Sequence, residues 1–147
     1  MKAYVCGFLF DPENLHVVLI RKTKPEWQMG LLNGVGGAVE YPESPLKAMI
    51  REFKEETGVD ISTWKQFIRL NDRAWYVDFF KAQSPDFRLV KSMTEEEVLI
   101  VSINELSKYN TIPNIRWLIP MCLDPNHHDG ILHTKKVFLD DNRTRHI

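Results

Sequence analysis

Apolar positions recur along this chain in two rhythms, and the changes of rhythm mark its elements. Residues 2–10 form an apolar run rich in strand formers, closed by the turn signal Asp11-Pro12-Glu13-Asn14. Residues 15–21 form a second run, and the turn between them predicts that the two pair. Residues 23–33 read as a loop. Asn33-Gly34-Val35-Gly36-Gly37 predicts a flexible turn, followed by a short strand around 38–40. The rhythm then becomes helical: Leu46, Met49, Ile50 and Phe53 fall at i, i+3, i+4 and i+7, making one apolar stripe. Ser44 suits the N-cap, Pro45 the first turn and Gly58 the exit. Residues 64–70 and 73–81 predict strands, the second strongly aromatic through Trp75, Tyr76, Phe79 and Phe80. The acidic turn Thr94-Glu95-Glu96-Glu97 leads into a strand at 98–102, and 102–109 suits a short helical turn. Residues 113–123 predict a second helix, with Ile115, Leu118, Ile119 and Cys122 on one face. The chain is more polar after Asp124, where 131–139 suits a late strand or arm.

Strands surrounding two helices predict a mixed α/β (α+β) fold class. A length of 147 residues fits one domain spanning 1–147, with 124–147 as a peripheral C-terminal arm. Apolar residues at 44% and charged residues at 27% suit an ordinary core. No run approaches the roughly 18–20 apolar residues needed to cross a bilayer, and no membrane partner is expected. The first residues look like a strand rather than a leader, so a cytoplasmic location is expected. Cys6 and Cys122 match no metal spacing and are expected to be reduced core residues. A net charge of −1 argues against a nucleic-acid polymer as partner, since such binding rests on many phosphate contacts. A small anionic substrate remains open.

The first helix carries the chemistry. With Leu46 at zero and about 100° per residue, the apolar stripe centres near roughly 350°. Glu52, Glu55 and Glu56 then lie at roughly 240°, 180° and 280°. They share one face, beside the stripe. Three carboxylates so placed repel one another, and a hard divalent cation relieves that repulsion while keeping waters and room for phosphates. Lys47, Arg51 and Lys54 offer the ordinary alternative of i,i+4 ion pairs on a solvated face.

The wider spacing separates these readings. Gly37, five residues, Glu43, seven residues, then Arg51-Glu52-Phe53-Lys54-Glu55-Glu56-Thr57-Gly58-Val59 resembles the signature box of the Nudix hydrolases. Phe53 and Val59 stand in its two apolar slots. The resemblance is close over the box and the glycine-rich turn before it. It implies an α/β/α sandwich with a mixed sheet between helices, and cleavage of a diphosphate linked to a nucleoside. By position, Glu52, Glu55 and Glu56 resemble the family's ligands for Mg²⁺ or Mn²⁺, with the Gly37 carbonyl adding an oxygen. Arg51 and Glu43 resemble the pair that orients those acids. The implied chemistry is attack of water at phosphorus, with the catalytic set Arg51, Glu55, Glu56 and Glu97. The general base is either a box glutamate or Glu97, which ends the acidic turn before a strand.

Outside the box, Arg21 and Lys22 end the second strand and are candidates for phosphate. An Asn-Gly-x-Gly-Gly turn is similar to that of relatives acting on oxidised purine nucleoside triphosphates, which makes Asn33 a candidate for the base. Asn114 opens the last helix, where nucleotide-directed relatives carry a similar residue. It is a second base candidate, or a plain N-cap. The expected substrate is therefore a small nucleotide, foremost a nucleoside triphosphate giving monophosphate and pyrophosphate. ADP-ribose, a dinucleoside polyphosphate or a nucleotide sugar are the alternatives, and a non-catalytic nucleotide-binding module is the third reading. The 131–139 segment offers a strand to a second copy, as in a homodimer.

Overall fold

The computed structural model describes residues 1–125 and a strand at 132–135. Nine residues, Lys2–Phe10, form the central strand β1. The tight turn after it is held by Asp11, whose Oδ1 accepts from Leu15 N at 2.8 Å and His16 N at 2.5 Å, while Asn14 takes a left-handed φ of 59°. Such a φ suits asparagine better than most residues. The chain returns as β2 (His16–Arg21), antiparallel to β1, but only Leu9↔Val18 and Phe10↔Val17 are in register. The two strands then part, and β1 takes a new neighbour.

That neighbour is the glycine segment. Instead of a flexible turn followed by a strand at 38–40, the chain forms β3 (Leu32–Asn33) and β4 (Val35–Ala38). β4 runs antiparallel to β1, pairing Gly36 with Cys6 and Gly37 with Val5. Neither Gly36 nor Gly37 has a positive φ. They are glycines for want of room: a Cβ on Gly36 would lie 1.9 Å from the Val5 carbonyl oxygen.

The helix α1 (Pro45–Thr57) follows. Ser44 Oγ accepts from Lys47 N at 3.2 Å, and Gly58 ends the helix at φ 79° with its N–H on Lys54 O at 2.8 Å. β5 (Lys65–Asn71) and β6 (Trp75–Gln83) make an antiparallel hairpin, and β6 runs parallel to β1 from Lys2↔Trp75 to Phe10↔Gln83. A 3₁₀ segment, Pro85–Leu89, leads back to β7 (Glu97–Ser102), antiparallel to β2. A 3₁₀ turn at Ile103–Lys108 precedes α2 (Ile115–Leu123). Of the expected late strand at 131–139, β8 (Leu132–Lys135) is described, parallel to β5 of the same chain; the remainder lies outside the described residues.

Alternation along β1 builds two cores. Cys6, Phe8 and Phe10 face α2 with Ile115, Leu118 and Ile119. Val5 and Leu9 face α1 with Ala48, Met49 and Phe53. The result is a mixed sheet between two helices. The α1 stripe differs from expectation. Leu46 is 41% exposed, whereas Ala48, Met49, Phe53 and Thr57 are buried. The buried arc is therefore rotated toward the acids and takes in Glu52, whose side chain is 12% exposed.

Candidate active site

β4 and α1 bring the box together. Arg51 is its hub. Its Nε and Nη2 donate to Glu43 at 3.0 and 2.7 Å, a bidentate pair eight residues back. Nη1 donates to Glu52 at 2.9 Å and Glu55 at 3.2 Å, and Nη2 also reaches the Ala38 carbonyl at 2.9 Å. Arg51 thus ties the helix to the end of β4. Glu43 in turn accepts from Glu40 N at 2.7 Å, which closes the loop before α1.

The acids are not equivalent. The Arg51 hydrogen bond holds the Glu43 carboxyl below its usual range. Burial pushes Glu52 above it, and the charges of Glu55 and Glu56 add to that push despite Arg51. Glu52 lies against Gly37, where a Cβ would be 2.5 Å from its carboxyl carbon. Glycine at 37 thus makes the space that Glu52 fills. Glu55 is more than half exposed on the outer side of Arg51. Glu56 accepts from Thr94 Oγ1 at 2.8 Å, so the 92–97 loop closes over the end of α1.

In this arrangement no three acids, histidines or cysteines among the described residues are gathered as a closed metal site. Arg51 draws Glu52 and Glu55, and Thr94 draws Glu56. The donor set still fits a hard divalent cation: carboxylate oxygens, one carboxylate largely shielded from solvent and pushed toward its neutral form by that shielding. Glu52, Glu55, Glu56 and the Gly37 carbonyl are the groups that would hold it.

The acidic turn divides its work by strand register. Arg21 pairs with Glu97 across β2 and β7, its Nε 3.1 Å from the carboxylate, and Nη1 reaches the Gly30 carbonyl at 3.3 Å. One step further, Lys22 meets Glu96 at 3.3 Å. Glu96 is buried and also accepts from Thr23 N at 2.7 Å. Sequence reasoning singled out Glu97 and passed over Glu96 and Thr94. The available signal was the antiparallel register itself, which matches adjacent cations at the end of β2 to adjacent acids at the start of β7.

A cavity of about 610 Å³ opens beside the box. Its floor is the α2-facing side of the sheet, with Tyr4, Cys6, Val77 and Phe79, and Gly36 and Gly37 lie at its border. Lys22, Asn33 and Asn114 line it, whereas Arg21 is turned to Glu97. Trp27, from a 3₁₀ turn at Glu26–Gln28, and Trp75 add aromatic walls. Asn33 Oδ1 accepts from Gly34 N at 2.8 Å and faces Cys6 Sγ at 3.7 Å. Asn114 makes no side-chain cap; its backbone is already helical. Its side chain is buried, and Oδ1 has no hydrogen-bond partner among the described residues. A buried amide oxygen without a partner is costly unless something supplies a donor.

A mixed sheet thus lies between helices, with a glutamate helix docked on a glycine strand beside a cavity. The family model described as NUDIX domain matches residues 2–130. The chain belongs to the Nudix family and is a Nudix hydrolase, of a family acting on nucleoside diphosphate-linked compounds. No curated protein matches it in sequence. Among solved structures, one from work on MutT of Aliivibrio salmonicida and Vibrio cholerae superposes with a TM-score of 0.70 at 22% identity, covering 81% of this chain and 94% of that one. MutT from Bacillus halodurans gives 0.67 at 20% identity, with 92% and 88% covered. The NUDIX domain of Shewanella oneidensis NrtR, complexed with ADP ribose, gives 0.68 at 17% identity, with 80% and 83% covered. These likenesses are of fold. Among the described residues, no helix is long and apolar enough to cross a membrane.

Proposed function

We propose that the protein hydrolyses a nucleoside triphosphate to the monophosphate and pyrophosphate, using Mg²⁺ or Mn²⁺ held by Glu52, Glu55 and Glu56. The observation that carries this reading is the position of Gly37. It borders the cavity and also abuts the Glu52 carboxylate, so a ligand can span both. The diphosphate then lies at the acids, and the base lies toward Asn33 and Asn114. A cation held by Glu52, Glu55 and Glu56 would lower the pKa of water and stabilise charge developing at phosphorus.

The protein's own groups do the rest. Arg51 and Glu43 fix the position of α1 on β4, which holds Glu52 beside Gly37. Glu55, exposed and tethered through Arg51, is free on one side to take a proton from water. Glu97 is the alternative base; each is paired with an arginine, Glu97 with Arg21 and Glu55 with Arg51, and Glu55 is preferred because it shares that arginine with Glu52. Lys22 lines the cavity with its charge balanced by Glu96, so a phosphate there competes with that carboxylate; Arg21 is paired with Glu97 and is not among the cavity-lining residues. Trp27 and Trp75 provide surfaces for a base.

The test is a panel of common and oxidised nucleoside triphosphates, ADP-ribose, dinucleoside polyphosphates and nucleotide sugars with Mg²⁺, analysed for products. Pyrophosphate release from at least one triphosphate is expected. Turnover confined to the other classes would reject the triphosphate. Saturable binding with no turnover on any compound would instead favour a regulatory module.

A further inference from the structure

Asn33 presents one amide to the cavity, and its orientation matters because an amide donates from one end and accepts at the other. Two donors converge on the same side-chain atom. Gly34 N–H points at it from 2.8 Å, and the Cys6 thiol lies 3.7 Å away. A backbone N–H can only donate, so that atom must be the amide oxygen. The Nδ2 end is then the one left for a ligand.

We propose that Cys6 is a positioning residue for the substrate: its thiol joins the Gly34 N–H as a second donor to the Asn33 amide oxygen, and together they keep the amino end toward the cavity. This deepens the nucleotide reading above and rests on it. Cys6 suits the task. It is buried on β1, 7% exposed, and it borders the same cavity as Asn33. Burial pushes its thiol up to about 12, so it stays a protonated donor across the working range. Asn114 shows that the cavity expects a polar ligand. Its Oδ1 is buried, lines the same space and has no partner among the described residues. The wall thus offers a donor at Asn33 and an acceptor at Asn114. A ligand with an acceptor toward Asn33 and a donor toward Asn114 complements both. If the Asn33 amide turned over, both residues would offer oxygen, and that match would be lost.

The test compares Cys6→Ala with Cys6→Ser, which differ by a hydroxyl donor. In the nucleotide-free protein, the Asn33 side-chain NH₂ signals are followed by ¹H–¹⁵N NMR. The expected result is a clear shift or broadening in C6A and a partial return in C6S. Unmoved Asn33 signals in C6A overturn the proposal, whatever the substrate proves to be. With a nucleoside triphosphate, C6A is expected to raise KM roughly 3- to 10-fold with kcat little changed. The base-free ribose 5-triphosphate should show no such change. The double variant C6A/N33A should be no worse than N33A. Additive losses, or equal losses on the base-free compound, would show that Cys6 serves packing alone. Absence of triphosphate turnover in the wild type rejects the nucleotide reading and leaves the NMR comparison to decide the role of Cys6.

Discussion

Replacing Glu52 by glutamine should stabilise the metal-free protein while destroying its activity. Burial raises the Glu52 carboxyl, and the charges of Glu55 and Glu56 reinforce that. A carboxyl whose folded pKa is raised contributes stability that is fully present below its unfolded value, 4.5, and is lost as pH rises through the folded value. At neutral pH the wild type therefore carries the penalty. Glutamine keeps the shape and the acceptor oxygen for Arg51 but not the charge. The size follows from the geometry. Glu52 and Glu55 oxygens lie 2.9 and 3.2 Å from the same Arg51 nitrogen, so they are within about 6 Å of each other. At an effective dielectric of about 20 that repulsion is about 3 kcal/mol, less than the attraction of Arg51 at 2.9 Å, so the net penalty is chiefly that of burying the Glu52 carboxylate. Glu55 is more than half exposed, and the glutamine bond to Arg51 is weaker, so about 1 kcal/mol survives. For a domain of this size that is about 2–4 °C in Tm. Thermal unfolding in chelator at pH 7.5 should place E52Q above the wild type, with the gap closing near pH 4. Saturating Mg²⁺ should then raise the wild type and leave E52Q in place. An E52Q protein less stable than wild type at pH 7.5 in chelator would refute the argument that this charge is poorly balanced.

Other perturbations separate the roles of neighbouring residues. Arg51→Met leaves Glu43 and Glu52 without their cation and should cost about 2–3 kcal/mol by denaturant unfolding. Glu43 is held low by Arg51, so its stabilisation is present above its unfolded value of 4.5 and is lost as pH falls through the folded value; R51M should lose that acid-side dependence. Gly37→Ala places a methyl against the Glu52 carboxylate and should lower kcat on the order of 100-fold while the protein still folds. Phe53→Ala empties a fully buried site against Trp64 and should cost about 3–5 kcal/mol of stability.

What the chain shows in advance depends on how local each determinant is. α1 was legible because Ser44, Pro45 and Gly58 act through their own neighbours. The resemblance to the family's box likewise marked Arg51 and Glu43 as a pair, eight residues apart. The glycine segment was misread because glycine signals both free φ and absent Cβ. Only the approach of β1 shows that Gly36 serves the second purpose. The buried face of α1 was misplaced for a similar reason. Alanine and a glutamate count as poor core residues by type, yet Ala48 is fully buried and Glu52 packs against Gly37 of β4. Asn114 resembled a cap, but its backbone had already turned helical, which left the side chain for the cavity. The cavity itself joins β1, β6, the Trp27 turn and the start of α2, and no sequence window spans those.

The central claim is that the acids of α1, with a divalent cation, act on a nucleotide seated in the neighbouring cavity. Glu56→Gln tests it most directly, because Glu56 is half-buried at the edge of α1 and outside the cavity lining. Pyrophosphate release and nucleotide affinity should be measured on the same preparation at saturating Mg²⁺. Turnover should fall on the order of 100-fold or more, with nucleotide affinity and the Tm in chelator near those of the wild type. Turnover within a few-fold of wild type at unchanged affinity would contradict it.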